Sequence, residues 1–169
     1  MKRISVALMV AALLLLAAAF VPNNAPRIKA AATVRADGGA ACSLASVAGK
    51  WGFSTNGTVI GIGPRDSLGI FTLDGAGNLV NGKATASLNG SVTDEAFAGT
   101  YSVNPDCTGK LAIVISDPSG NKILTATLDL VFDNNVRELR ALFTSAVLPN
   151  NTPLATVITV DAKRLFSEN

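Results

Sequence analysis

The chain has 169 residues, the length of one ordinary domain plus an export segment, with two cysteines and no histidine. The missing histidine excludes Ser-His-Asp and Cys-His nucleophilic catalysis, imidazole acid–base work and His-ligated zinc. The net charge is +2, but Lys2, Arg3, Arg27 and Lys29 precede every acid, so loss of residues 1–32 takes the 14 basic residues to 10 against 12 acidic ones, a net of −2. No basic block remains, which argues against nucleic acid and anionic membrane as partners.

Met1-Lys2-Arg3 is a short basic start, Ile4 to Val21 is uncharged and rich in Leu and Ala, and Pro22 breaks the run before a series of small residues. This is the pattern of a secretory signal peptide over residues 1–32, with Ala19, Ala25, Ala30 and Ala32 all acceptable ends. The alternative is a membrane anchor, which the run is just long enough to form. A lipoprotein does not fit, because Cys42 lies far beyond the apolar run and Gly39 stands where a branched aliphatic residue belongs. Residues 33–41 offer nothing to bury and read as a disordered leader. The mature domain is expected over 42–169. In an exported protein the pair Cys42 and Cys107 reads most simply as a disulfide closing a loop of about 65 residues, worth about 4 kcal/mol on the chain-entropy account. Two free buried thiols are the alternative.

Ser43 is positioned to cap one helical turn over 43–48. The first strand is expected over Lys50–Asn56, with Trp51, Phe53 and Thr55 on one face, followed by a Gly-rich loop from Gly57 to Pro64. The second is expected over Ser67–Leu73, the turn Asp74-Gly75-Ala76-Gly77 follows, and the third is Asn78–Leu88. Asn89-Gly90 is the strongest hairpin signal in the chain. The fourth strand is Ser91–Val103, bent or bulged near Gly99. Turns at 104–109 and 117–120 bound a fifth strand over Lys110–Ser116. A sixth over Lys122–Phe132, a seventh over Val136–Thr144 and an eighth over Leu154–Leu165 complete the series.

Apolar and polar residues alternate along these segments. Leu124, Ala126, Leu128, Leu130 and Phe132 share one side against Thr125, Thr127 and Asp129. Leu139, Ala141 and Phe143 oppose Glu138 and Arg140, and Phe97, Gly99, Tyr101 and Val103 lie together. Alternation of this kind marks antiparallel sheet with one buried face. Short links between successive strands make a meander, and closing an eight-stranded meander removes its edges. The expected fold is therefore all-β, an eight-stranded antiparallel up-and-down barrel with a short N-terminal helical turn. A β-sandwich is the alternative.

Gly49-Lys50-Trp51 resembles the Gly-x-Trp that opens the first strand of lipocalins and other calycins, and Lys163-Arg164 fall at the end of the last strand as basic residues do in that group. The resemblance implies a calycin-like barrel over 42–165 in which Trp51 plugs one end and Arg164 lies across its ring in a cation–π contact. Cys42-Ser43-Leu44, Leu73-Asp74-Gly75-Ala76-Gly77-Asn78 and the run from Gly99 to Gly109 are similar to a group of secreted bacterial proteins of unassigned function.

Candidate chemistry is sparse. Gly57 to Gly63 lacks the Lys-Ser/Thr ending of a phosphate loop. Asp94-Glu95 are adjacent acids, but neighbours on a strand point to opposite faces and cannot converge on one substrate, so both read as a solvated edge. Asp74, Asp106, Asp117 and Asp133 sit in turns, where Asp bonds its own backbone, and no spacing of acids suggests a metal. Tyr101, if inward, needs a partner for its hydroxyl. The leading functional expectation is a secreted barrel binding a small apolar molecule, lined by Phe53, Ile70, Phe97, Tyr101, Ile113, Leu128, Leu130, Leu139, Phe143 and Ile158. A filled barrel serving as a structural or interaction scaffold of the cell envelope is the second. An isomerase or cyclase is the third, and it requires an inward acid. No cofactor and no catalytic constellation is expected.

Overall fold

Turn chemistry organises this chain. In a computed structural model, described over residues 41–133 and 135–166, four five-residue turns share one hydrogen-bond pattern. In each, the first residue's N–H donates to the carbonyl of the fifth, and the fourth residue's N–H donates back to the carbonyl of the first; the turns span 74–78, 104–108, 117–121 and 148–152. The fourth residue always has positive φ: Gly77 at 90°, Cys107 at 67°, Gly120 at 88° and Asn151 at 65°. Two of these positions carry glycine and one asparagine, the residues that enter the left-handed region at least cost. Asp74 and Asp117 add carboxylate bonds to the N–H of the fifth residue. Asn89-Gly90, with φ of 49° and 84°, forms the tight two-residue hairpin that its sequence predicts.

Between these turns run eight strands: β1 (Gly49–Val59), β2 (Gly63–Leu73), β3 (Asn78–Leu88), β4 (Ser91–Val103), β5 (Thr108–Ser116), β6 (Lys122–Asp133), β7 (Glu138–Val147) and β8 (Thr156–Arg164), preceded by the single turn of helix α1 (Leu44–Val47). Each strand pairs antiparallel with the next, and β1 pairs with β8, so the sheet is a closed barrel. The sandwich alternative is thereby set aside. The signal peptide expected over 1–32 and the leader up to residue 40 lie outside the described residues.

Closure accounts for the departures from the expected strands. The expected loop from Gly57 to Pro64 is instead strand on both sides of a turn at residues 60–62, with Gly57 paired to Arg65 and to Ile158. Gly57 is there for close approach, since a Cβ would collide with the Val157 carbonyl. At Gly99 a Cβ would likewise strike the Ala112 carbonyl. The bulge expected near Gly99 lies across the ladder in β3, where two residues stand opposite Ala98 and Asn81 takes φ of 55°. In β7 an extra residue, Thr144, separates Phe143 from Ser145. Among the described residues the β7–β8 register stops at Leu142↔Thr159 and resumes at Val147↔Pro153.

Up-and-down connectivity gives the barrel two ends. One carries α1, the turns after β2, β4 and β6, and the end of β8. The other carries the turns after β1, β3, β5 and β7. Inward residues build a single main core that includes Trp51, Phe53, Phe71, Leu79, Leu128 and Phe132.

Candidate functional site in the barrel interior

The α1 end is sealed from several directions. Ser43 caps α1, and its hydroxyl and that of Ser46 each accept from the other's backbone N–H. Cys42 and Cys107 form a disulfide that ties the segment before α1 to the turn after β4. Trp51, fully buried, donates its indole N–H to the Val47 carbonyl at 3.2 Å. Arg164 lies 5.4 Å from the Trp51 ring centre and donates to the carbonyls of Ser46 and Ala48. Tyr101 points inward and donates its hydroxyl to the Asp74 carbonyl at 2.5 Å. Its phenol is pushed up to about 12, first by burial and then by the Asp74 carboxylate. Each contact fastens α1 or an adjoining turn to the barrel wall.

The other half of the interior differs. An aromatic layer of Phe53, Phe71 and Phe97, with ring centres 5.5–6.3 Å apart, separates it from the plug. Beyond the layer is a cavity of about 50 Å³ with walls that include Phe53, Phe97, Ile113, Leu128 and Phe143. The polar side chains facing this space are Thr55, Ser67, Arg65 and Glu95. Arg65 donates to Glu95 at 2.7 Å, and their side chains are only 12% and 6% exposed. Thr55 and Ser67, opposite each other on β1 and β2, share a hydroxyl–hydroxyl bond of 2.7 Å. The site thus combines hydrogen-bond donors, acceptors and an apolar wall. Among the described residues no group of His, Cys, Asp and Glu could hold a metal ion.

The sequence-derived lining sorts into three sets. Phe53, Phe97, Ile113, Leu128 and Phe143 border the cavity. Leu130 and Leu139 are buried in the core without reaching it, Tyr101 belongs to the sealed end, and Ile158 is buried toward the opposite rim, paired with Gly57. Ile70 is a correction: it is 37% exposed on the outer surface, and Phe71 occupies the inner face instead. Leu68 and Ile70 alternate with Phe71 and Leu73, so β2 offers apolar residues to both faces and its pattern does not choose between them. Glu95 is the second correction. Asp94 and Glu95 do face opposite ways, and Asp94 accepts a bond from Thr85 on the outside. But Glu95 is buried, because β4 keeps it on the face of Phe97 and Tyr101.

Arg65 and Glu95 are the residues that sequence reasoning missed. Arg65 falls between the expected loop, Gly57–Pro64, and the expected second strand, Ser67–Leu73, and the two residues are 30 positions apart. A signal was present: Glu95 lies two residues before Phe97 and six before Tyr101, in phase with the inward set.

The fold and the site define a closed β-barrel with one plugged end and a small, polar-headed cavity in the other half. No family model matches the chain, and no curated protein matches it. The disulfide fits an oxidising, extracytoplasmic location. No helix among the described residues is long and apolar enough to cross a membrane.

Proposed function

We propose that the protein is an exported, calycin-like barrel that binds a small, largely apolar molecule in the half of its interior away from α1. The carrying observation is the Arg65–Glu95 pair, in which a buried carboxylate meets a half-buried guanidinium. Two charges taken out of water cost several kcal/mol each, and replacing such a pair by apolar residues is often neutral or stabilising. A barrel selected only for stability gains nothing from keeping the pair beside a cavity. A barrel that orients a ligand does. The Arg164–Trp51 plug and the Gly49-Lys50-Trp51 opening support the calycin-like reading, and the disulfide supports export.

The test is native mass spectrometry of the mature protein from its own exported fraction, followed by exposure of stripped protein to small apolar compounds. Ala84 also borders the cavity, and the expected result is retention of a small molecule that is lost when Ala84→Leu fills this space. A bare polypeptide mass under all these conditions overturns the reading. The size of the cavity favours the second reading, a filled scaffold, because 50 Å³ is well below the roughly 300 Å³ at which drug-sized ligand pockets begin.

A further inference from the structure

We infer that the interior site selects uncharged molecules of a few heavy atoms that carry a hydroxyl or carbonyl at one end, and that it discriminates against carboxylates and ammonium ions of the same length. The inference rests on the binding reading above and names its ligand class. Among the residues bordering the cavity, Arg65 and Glu95 are the only charged ones, and they neutralise each other at 2.7 Å. An anionic head group facing Arg65 would bring a second carboxylate beside Glu95 in a poorly solvated space. An ammonium facing Glu95 would crowd the Arg65 guanidinium in the same way. Like charges at such separation disfavour one another strongly when water is excluded.

Uncharged polar groups meet no such penalty. A guanidinium has five donors, and the bond that Arg65 makes to Glu95 uses one of them. Glu95 accepts that bond at Oε2, and its second oxygen, Oε1, is a further acceptor on the same carboxylate. The Thr55–Ser67 hydroxyl pair holds one further proton that its internal bond does not use. A hydroxyl can both accept from Arg65 and donate to Glu95, and a carbonyl can accept from Arg65, while the rest of the molecule lies against Phe97, Ile113 and Phe143. Size sets the other limit. A water needs about 10–15 Å³ of such space, so 50 Å³ holds a chain of only a few atoms unless the half-buried Phe143 swings away.

The experiment is a titration of the full mature protein at neutral pH, followed by the methyl resonances of Ile113 and Leu128. The probes are 1-butanol, 2-butanone, butyrate, butylammonium and, as a wholly apolar control, xenon. The expected result is interior shifts with butanol and butanone, at affinities about tenfold or more above both ions, a gap equivalent to about 1.4 kcal/mol. In Glu95→Gln, which leaves Arg65 uncompensated, butyrate should overtake butanol. Butyrate or butylammonium binding wild type as tightly as butanol overturns the neutral-ligand inference and leaves the binding barrel standing. Xenon alone entering has the same meaning. No shift with any probe, xenon included, removes the binding reading itself. The wild-type comparison decides the matter even where Glu95→Gln fails to fold.

Discussion

The two halves of the barrel interior bury polar groups on different terms. At the α1 end, the Trp51 indole, the Tyr101 hydroxyl and the Arg164 guanidinium all donate to main-chain carbonyls of α1 and its neighbouring turns. Their partners are fixed by the backbone, and a disulfide holds that backbone in place. In the other half, the buried and half-buried polar groups bond to each other across strands, Arg65 to Glu95 and Thr55 to Ser67, beside the cavity. The first arrangement closes a barrel. The second keeps donors and acceptors that a guest could share. The polar groups inside this barrel thus have backbone partners at one end and side-chain partners in the other half.

Breaking each half should show the difference. Trp51→Ala removes the largest fully buried side chain and should cost about 3–5 kcal/mol in chemical denaturation. A loss below about 1 kcal/mol, the level of a surface change, would mean that the plug does not hold the barrel closed. Replacing Cys42 and Cys107 together by Ala should cost about 4 kcal/mol, given the 65-residue separation. The folded variant should keep its interior methyl spectrum near Ile113, because the disulfide acts on the other end. In the polar half, Arg65→Leu and Glu95→Leu should each cost about 3 kcal/mol by stranding a buried charge, while the double variant should recover most of that loss. Two single losses that simply add would show that the pair is not desolvated.

The smallest effect is on pH. The Tyr101 phenol is raised from 10.0 to about 12, so the folded protein keeps this proton at pH values where the unfolded chain releases it. The stabilisation is whole below pH 10 and is lost as the pH rises toward 12. Tyr101→Phe should flatten that alkaline decline and cost about 1 kcal/mol at neutral pH, through the lost hydrogen bond to Asp74. Denaturation curves between pH 8 and 12 check this against wild type, and an unchanged slope would assign the decline to another group.

Much of the architecture is legible in one dimension because it is written in local terms. The period-two alternation of Leu124, Ala126, Leu128, Leu130 and Phe132 is a property of one strand, and all five face inward as the pattern requires. The turns at Asp74, Asn89 and Asp117 are likewise decided by residues within each turn. Cys107 marks where local reading ends. Its backbone adopts the left-handed conformation that Gly77 and Gly120 hold in the equivalent turns, and nothing in its neighbours signals this, because the residue is there to reach Cys42.

The strand ends of β1 and β2, the inward turn of Phe71 rather than Ile70, and the meeting of Arg65 with Glu95 were decided only in three dimensions. Each depends on how far neighbouring strands run and on which way the closed sheet coils. Gly57 reads as loop in isolation and becomes strand because Arg65 and Ile158 flank it on both sides. From the sequence alone come a secreted all-β reading, the turns, most of the inward faces and the pairing of the two cysteines. The ion pair, the cavity and the side of β2 that faces it belong to the tertiary structure, because a charge can be buried only where another strand supplies the opposite one.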